Sequence, residues 1–239
     1  MADVSFFRRL QGVDRSRSVR NGWRLLRRRG LALLLAGGLA GCALGVEPPR
    51  LHTLTAPRAA DGASRPAVGW SLQIDPPLAV AGLDTARIAL KDAPTSIDYF
   101  ANVSWTNRTP DMVRDLLLET FEASQRIRAV GRDGAGLRAD YLLKLEIRDF
   151  QAEYADSRHA APPTVRIRLS ARLLTLPRRE IIDATVMEHE VRAASNTFPA
   201  ILAAWDQANR QALAAVVEWT LTPRPDPEPE KRPRPRLAR

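Results

Sequence analysis

The residues able to do chemistry are few, and the first is the chain's one cysteine. Cys42 closes a greasy run, "LALLLAGGLAGCALGV" (residues 31–46), that follows the arginine-rich "WRLLRRRG". A lone thiol cannot close an intramolecular disulfide, and no second cysteine exists to build a soft metal site. The three histidines, His52, His159 and His189, lie far apart with no partner at ligand spacing. His189 stands between two glutamates in "MEHEV", where alternation sets it on the same strand face as Met187 and Val191. No GxSxG, HExxH, P-loop or GxGxxG stretch occurs. Ser124 and Ser195 have no nearby base and read as helix-boundary residues, and no pair of carboxylates stands isolated on an apolar background. The sequence therefore predicts neither catalysis nor a metal or cofactor site, and a hydrolase would have no obvious machinery to use.

The surroundings of Cys42 point elsewhere. A basic stretch, a short apolar run and small residues, in that order, make an export signal. A membrane-spanning helix needs about 20 apolar residues. Leu31–Val46 supplies sixteen, four of them glycines, before Pro48-Pro49 ends the run. "FFRRLQG" lacks the serine-threonine lead and following phenylalanine of a twin-arginine signal. The basic region is long, about 30 residues, and a start further in would leave the mature chain unchanged. Leu39-Ala40-Gly41-Cys42 resembles a bacterial lipobox. That resemblance implies recognition of Leu39, Ala40 and Gly41 by a signal peptidase, diacylglycerol in thioether linkage on Cys42, cleavage before it, and acylation of the new amino terminus. Each buried methylene contributes about 0.8 kcal/mol, so several chains hold firmly. Ala43 in place of an aspartate implies sorting to the periplasmic face of the outer membrane.

Charge narrows the class of partner. Of the net +9, +7 lies in residues 1–41 and +3 in the last 17 residues, "PRPDPEPEKRPRPRLAR", which leaves −1 for everything between. A near-neutral body does not bind nucleic acid through its field. The alternating prolines and charges beyond Leu221 cannot bury a core, and they favour polyproline II in a tail over 222–239.

Between signal and tail the elements can be placed. Residues 42–69, rich in Ala, Pro, Arg and Gly, read as a lipidated end and flexible tether; 27 residues of coil have a root-mean-square reach of about 30 Å. A folded domain is then expected over 70–221. "WSLQI" alternates, as do the candidates 87–90 and 97–103, with a turn at Asp92–Pro94. Thr109-Pro110-Asp111 reads as a hydroxyl N-cap, a proline in the first turn and an acid near the positive helix end. Val113, Leu116, Leu117, Thr120 and Phe121 then make one apolar stripe. "GRDGAG" reads as a loop. Tyr141–Phe150, Thr164–Leu174 and Ile181–Val191 alternate cleanly, "LPRRE" turning between the last two. Arg166, Arg168 and Arg172 share one strand face, solvated or turned to an acidic partner or lipid headgroups. A last helix runs from Asn196 or Thr197 to about Trp219. The expected fold is a single α+β domain, a mainly antiparallel sheet covered on one face by two helices, with sheet edges open to pairing.

Several stretches in order, "LHTLTAP", "AGLDTARIAL", "IDYFANVSWTNRTPDMV" with Tyr99, Trp105 and Pro110, "ADYLLKLEIRDFQAE" and the closing "VVEW", resemble the ABC-type transport auxiliary lipoproteins. The resemblance runs from about Leu51 to Trp219, with His52 standing where an aromatic residue is expected. It implies a non-catalytic companion of an ATPase, a permease and an MCE-domain lipid-binding protein, moving phospholipid or another hydrophobic compound across the envelope, with the MCE-domain protein and a second copy of the chain as partners. The other class the residues allow is a structural or assembly lipoprotein of the envelope that touches no lipid cargo.

Overall fold

A computed structural model describes residues 48–57, 66–134, 136–156 and 158–223. Two long strands with period-two patterning form its centre. β7 (Tyr141–Glu153) and β8 (Thr164–Thr175) pair antiparallel over their whole length, Tyr141 opposite Thr175 and Glu153 opposite Thr164. The register shifts once, between Ile147 and Asp149. That bulge has a purpose legible in the side chains. Without it, the change of parity after Ile147 would turn Phe150 and Ala152 to the wrong face. With it, they join Tyr141, Leu143, Leu145 and Ile147 in the core.

β9 (Ile181–Arg192) pairs antiparallel with the far side of β8. The near side of β7 is shared by three short parallel strands, lined up along it: β2 (Val68–Ile74), β3 (Leu78–Ala79) and β4 (Arg87–Lys91). β2 carries β6 (Ile127–Arg132) in parallel, and β4 carries antiparallel β5 (Asp98–Trp105). The sheet is therefore α+β and mostly antiparallel, as the alternation predicts, but not purely so. The long ladders are antiparallel, the short β4–β5 ladder is too, and β6 can lie parallel to β2 because a helical crossover lies between them. β6 also takes in Gly131 and Arg132, the first residues of the expected "GRDGAG" loop.

The crossover is α1 (Thr109–Ser124); it packs on β6 and on α2 (Phe198–Thr220), which covers β8 and β9. Val113, Leu117 and Phe121 of α1 and Ile201, Trp205, Ala208 and Leu213 of α2 are buried, the predicted stripes. Trp205 is fully buried, edge-on to Trp105 at 5.5 Å between centroids and 6.1 Å from Phe100. The small residues Ala204, Ala208 and Ala212 let α2 approach the sheet closely around it. Thr109 does not cap α1. The cap position is Arg108, and the Thr109 hydroxyl donates instead to the Thr85 carbonyl at 3.1 Å, tying the helix start to the loop before β4. At the start of α2, the Thr197 hydroxyl meets that of Ser195 at 3.0 Å.

The expected tether needs the larger correction. Arg50–His52 is a strand, β1, parallel to β5 with Leu51 opposite Ser104. Leu54 is buried in the core, and the His52 ring packs on Phe198 at 5.0 Å, doing the work of the aromatic expected there. Asp206 of α2 accepts from the Thr55 backbone N–H at 2.7 Å and from its hydroxyl at 2.8 Å, while Arg210 braces the same carboxylate. "LHTLTAP" thus finds both an apolar slot and partners for its polar groups, and the domain begins twenty residues earlier than Trp70. Residues 42–47, 58–65 and most of the 222–239 tail lie outside the described residues.

This clamp gives a first expectation. Asp206→Ala removes both acceptors of Thr55 and should lower stability by about 1–2 kcal/mol. Amide exchange measured by mass spectrometry should accelerate first over residues 50–55 and leave α2 protected; unchanged exchange there would refute the clamp.

Candidate functional site

Cys42, expected to carry lipid, and Leu39, Ala40 and Gly41, expected to be read by a signal peptidase, lie outside the described residues. What the fold does fix is the chain's entry. β1 starts at Arg50, seven residues after Ala43 begins the segment 43–49.

The outer face of the sheet, opposite the helices, holds the densest group of charges. Asp149, Gln151 and Glu153 alternate along β7 after the bulge, and Arg166 and Arg168 stand beside them on β8. Glu188 and Glu190 complete the rows on β9. Arg166 reaches Glu153 at 3.3 Å, Glu188 at 3.2 Å and Glu190 at 2.6 Å. Arg168 pairs with Asp149, and Arg172 lies 3.8 Å from Glu146. The arginine row is thus satisfied within the sheet, and its charges are not held ready for headgroups or an acidic partner. The near-neutral total predicted for this part of the chain has a structural origin: acids and bases face each other across strands.

At one end of these rows an open cavity of about 430 Å³ is lined by Lys91, Asp92, Asp149, Tyr154, Arg166 and Arg168. His159 stacks on Tyr154 at 4.0 Å with 20° between rings, its Nε2 4.0 Å from an Asp92 oxygen. Asp149 is the most buried charge here, its side chain 8% exposed. Burial pushes its carboxyl up, but hydrogen bonds from Gln151 and Arg168, with the charges of Arg168 and Lys91, outweigh that and hold it below the usual carboxylate range. A general base needs a free lone pair and a pKa near working pH. Asp149 has neither, because its oxygens are taken by Gln151 at 3.0 Å, by Arg168 and by Lys91 at 3.7 Å. The cluster locks the ends of β4, β7 and β8 together. Its signal in the sequence is the polar-every-second pattern of "RDFQAE".

The remaining residues of interest separate. His52 is in the core contact with Phe198, while His189 faces the helix side of β9, where burial pushes its pKa down. Trp105 is core, and Trp219 is partly buried against it. The Ser124 hydroxyl donates to the Phe121 carbonyl at 2.6 Å, as a helix-end residue does. Among the described residues no group of three or more metal-ligating side chains gathers, and no helix is long and apolar enough to cross a membrane.

A mixed sheet with two helices on one face thus carries its outer-face charges in mutual pairs. The chain belongs to the family described as ABC-type transport auxiliary lipoprotein component, whose family model matches residues 52–217. Protein XCC0632 from Xanthomonas campestris, of the DUF330 family, is similar at 28% identity over 72% of this chain and 94% of its own, with a TM-score of 0.65. An uncharacterized protein shares the fold at 12% identity, covering 73% of this chain and 99% of that one, with a TM-score of 0.56. No curated protein matches the sequence. Membership makes the chain an auxiliary partner of an ABC-type transport system with a membrane-anchored place in the envelope.

The charge cluster predicts an acid response. Folding lowers the Asp149 pKa, so its contribution is fully present above the unfolded value of about 3.9 and is lost as pH falls through the folded one. Asp149→Asn should cost about 1–3 kcal/mol at neutral pH. It should also flatten the fall in stability below pH about 4, which urea titrations from pH 7 to 3 would measure. An unaltered acid limb would contradict this.

Proposed function

We propose that this chain is an outer-membrane lipoprotein, anchored at the periplasmic face through acyl chains on Cys42, and that it docks the MCE-domain protein of an ABC-type lipid transporter. Its role is contact without turnover: it receives or gates a conduit that carries phospholipid or another hydrophobic compound. The observation that carries this reading is the family match over residues 52–217 on a fold whose first strand follows Cys42 so closely. From Cys42 to Arg50 a fully extended chain spans at most about 28 Å. Anchored there, the domain works at the surface of its own bilayer, and a partner from the inner membrane must come to it. The internally paired charges support the same reading, because such a surface offers neither a base for chemistry nor a field for nucleic acid.

The test is co-purification with a tagged MCE-domain protein of the same cell, with lipid transfer between membranes as the second measurement. Cys42→Ser should give an uncleaved or soluble species without acyl chains and abolish recovery of the complex from outer membranes. An intact, lipidated chain that never recovers the MCE-domain protein would overturn the docking reading and favour an assembly role. A mature amino terminus elsewhere than Cys42, free of acyl groups in mass spectra, would overturn the anchor.

A further inference from the structure

The β8–β9 hairpin closes on a stretch that the core does not use. In "RREII" (residues 178–182) the Glu180 carbonyl accepts from the Thr175 N–H at 2.9 Å, and two isoleucines follow at once. On a strand covered by a helix on one face, alternation should send one of the two inward. The register shifts just there: Asp183 stands opposite Leu173 and Ile181 opposite Leu174, so Ile182 is the extra residue of a bulge. Both side chains stay outside, Ile181 60% exposed and Ile182 42%.

The charges beside them differ from those of the outer face. Among the described residues, Arg138, Arg178 and Arg179 meet no carboxylate, whereas Arg166, Arg168 and Arg172 are all paired. Arg138 lies in the loop the tip leans on, where the Leu176 N–H donates to the Asp140 carbonyl at 2.9 Å. The Asp140 carboxylate is taken by Arg128 at 3.2 Å. At the tip Arg178 and Arg179 flank Glu180, while Asp183 is partly buried and accepts from the Ala184 N–H at 2.8 Å. The chain also leaves the fold at this end of the sheet. Glu218, near the close of α2, pairs at 2.7 Å with Arg126, whose carbonyl accepts from the Val68 N–H of β2. The exposed acids of this end, Glu122, Asp133 and Glu180, match the free arginines in number. Residues 224–239 then bring six bases against three acids, which leaves the end positive.

We propose that this hairpin tip is a foothold on an anionic lipid surface, with Ile181 and Ile182 entering the headgroup layer and Arg178 and Arg179 holding lipid phosphates. A guanidinium grips a phosphate through paired N–H donors, and its weak hydration suits a place where apolar side chains leave water. Two isoleucines are too little surface for a protein interface, which covers about 800 Å² on each side. They suffice for interfacial contact, where apolar burial and attraction to anionic headgroups act together. The foothold stands apart from the transporter reading.

The full lipoprotein reconstituted in vesicles is the material for the test. Ile181→Cys carries an environment-sensitive dye, with the unsubstituted chain as the blank for any label on Cys42. Lipids brominated along their acyl chains should quench this dye in phosphatidylcholine vesicles containing about one-third phosphatidylglycerol, and at least about fivefold less in phosphatidylcholine alone. Salt at about 1 M, which screens charges beyond about 3 Å, should bring the first value down to the second. Leu78→Cys, 72% exposed on β3, is the control and should stay unquenched in both vesicles. Arg178→Gln together with Arg179→Gln, in the Ile181→Cys chain, should lower the bound-to-free ratio of the tip about 10- to 30-fold, about fivefold for each arginine, with unchanged circular dichroism. Equal quenching in the two vesicles, none in either, or a double variant quenched like its parent would overturn the proposal. A dye shielded only after an acidic protein is added would give the tip to a protein partner and overturn it as well.

Discussion

The structure depends on the length and the single bulge of β7. Thirteen residues long, it alone among the described strands meets β2, β3, β4 and β8, so the other described parts of the sheet are held through it. Three short strands of two to seven residues could not bury a common face alone. Laid end to end along one side of β7, they become one wall. The bulge after Ile147 keeps this workable, because the upper half of β7 faces β2 and the lower half faces β4, and both halves must offer apolar side chains to the same pair of helices. Phe150, delivered to the core by that shift, then packs 6.2 Å from Trp105 and 6.5 Å from Trp205. A strand without the bulge would put Asp149 and Gln151 under α2, where nothing could pair them.

On the opposite face the same shift creates the charge rows. Asp149, Gln151 and Glu153 fall beside the arginines of β8 because the bulge changes parity there, and α2 claims the other side. The rows are mutual: Arg166 meets acids from both neighbouring strands, Arg168 the buried Asp149, and Arg172 the more exposed Glu146. Such pairs contribute little where they are exposed and more at the buried Asp149 end, so their main effect is to fix register between long strands whose apolar residues would tolerate a slip. A face spent this way leaves contact with partners to the edges and ends of the sheet.

The long alternating strands and both helices are legible in the sequence because their periodicity is local: "YLLKLEI" and "TVRIRLSARLL" announce their faces without help. What escapes is whatever depends on a distant partner. β1 is three residues long with two exposed side chains, and nothing near it marks it as a strand; its reason is Asp206, which lies over 150 positions away. Thr109 has the residue type of a cap, but Thr85 competes for its hydroxyl from another loop. The parallel pairings of β2 and β4 with β7 follow from the crossover path and have no signature in either strand. The family resemblance, by contrast, reads the whole order at once, and it reaches back to Leu51 where periodicity stops at Trp70.

The strand order sets one further constraint on how such a domain can work. β1 and β9 lie at opposite edges, separated by β5, β4, β7 and β8, or about 24 Å at ordinary strand spacing. The chain enters at the first edge, and under the proposed anchoring that edge is the one held within reach of lipid. The far edge is then the one left open.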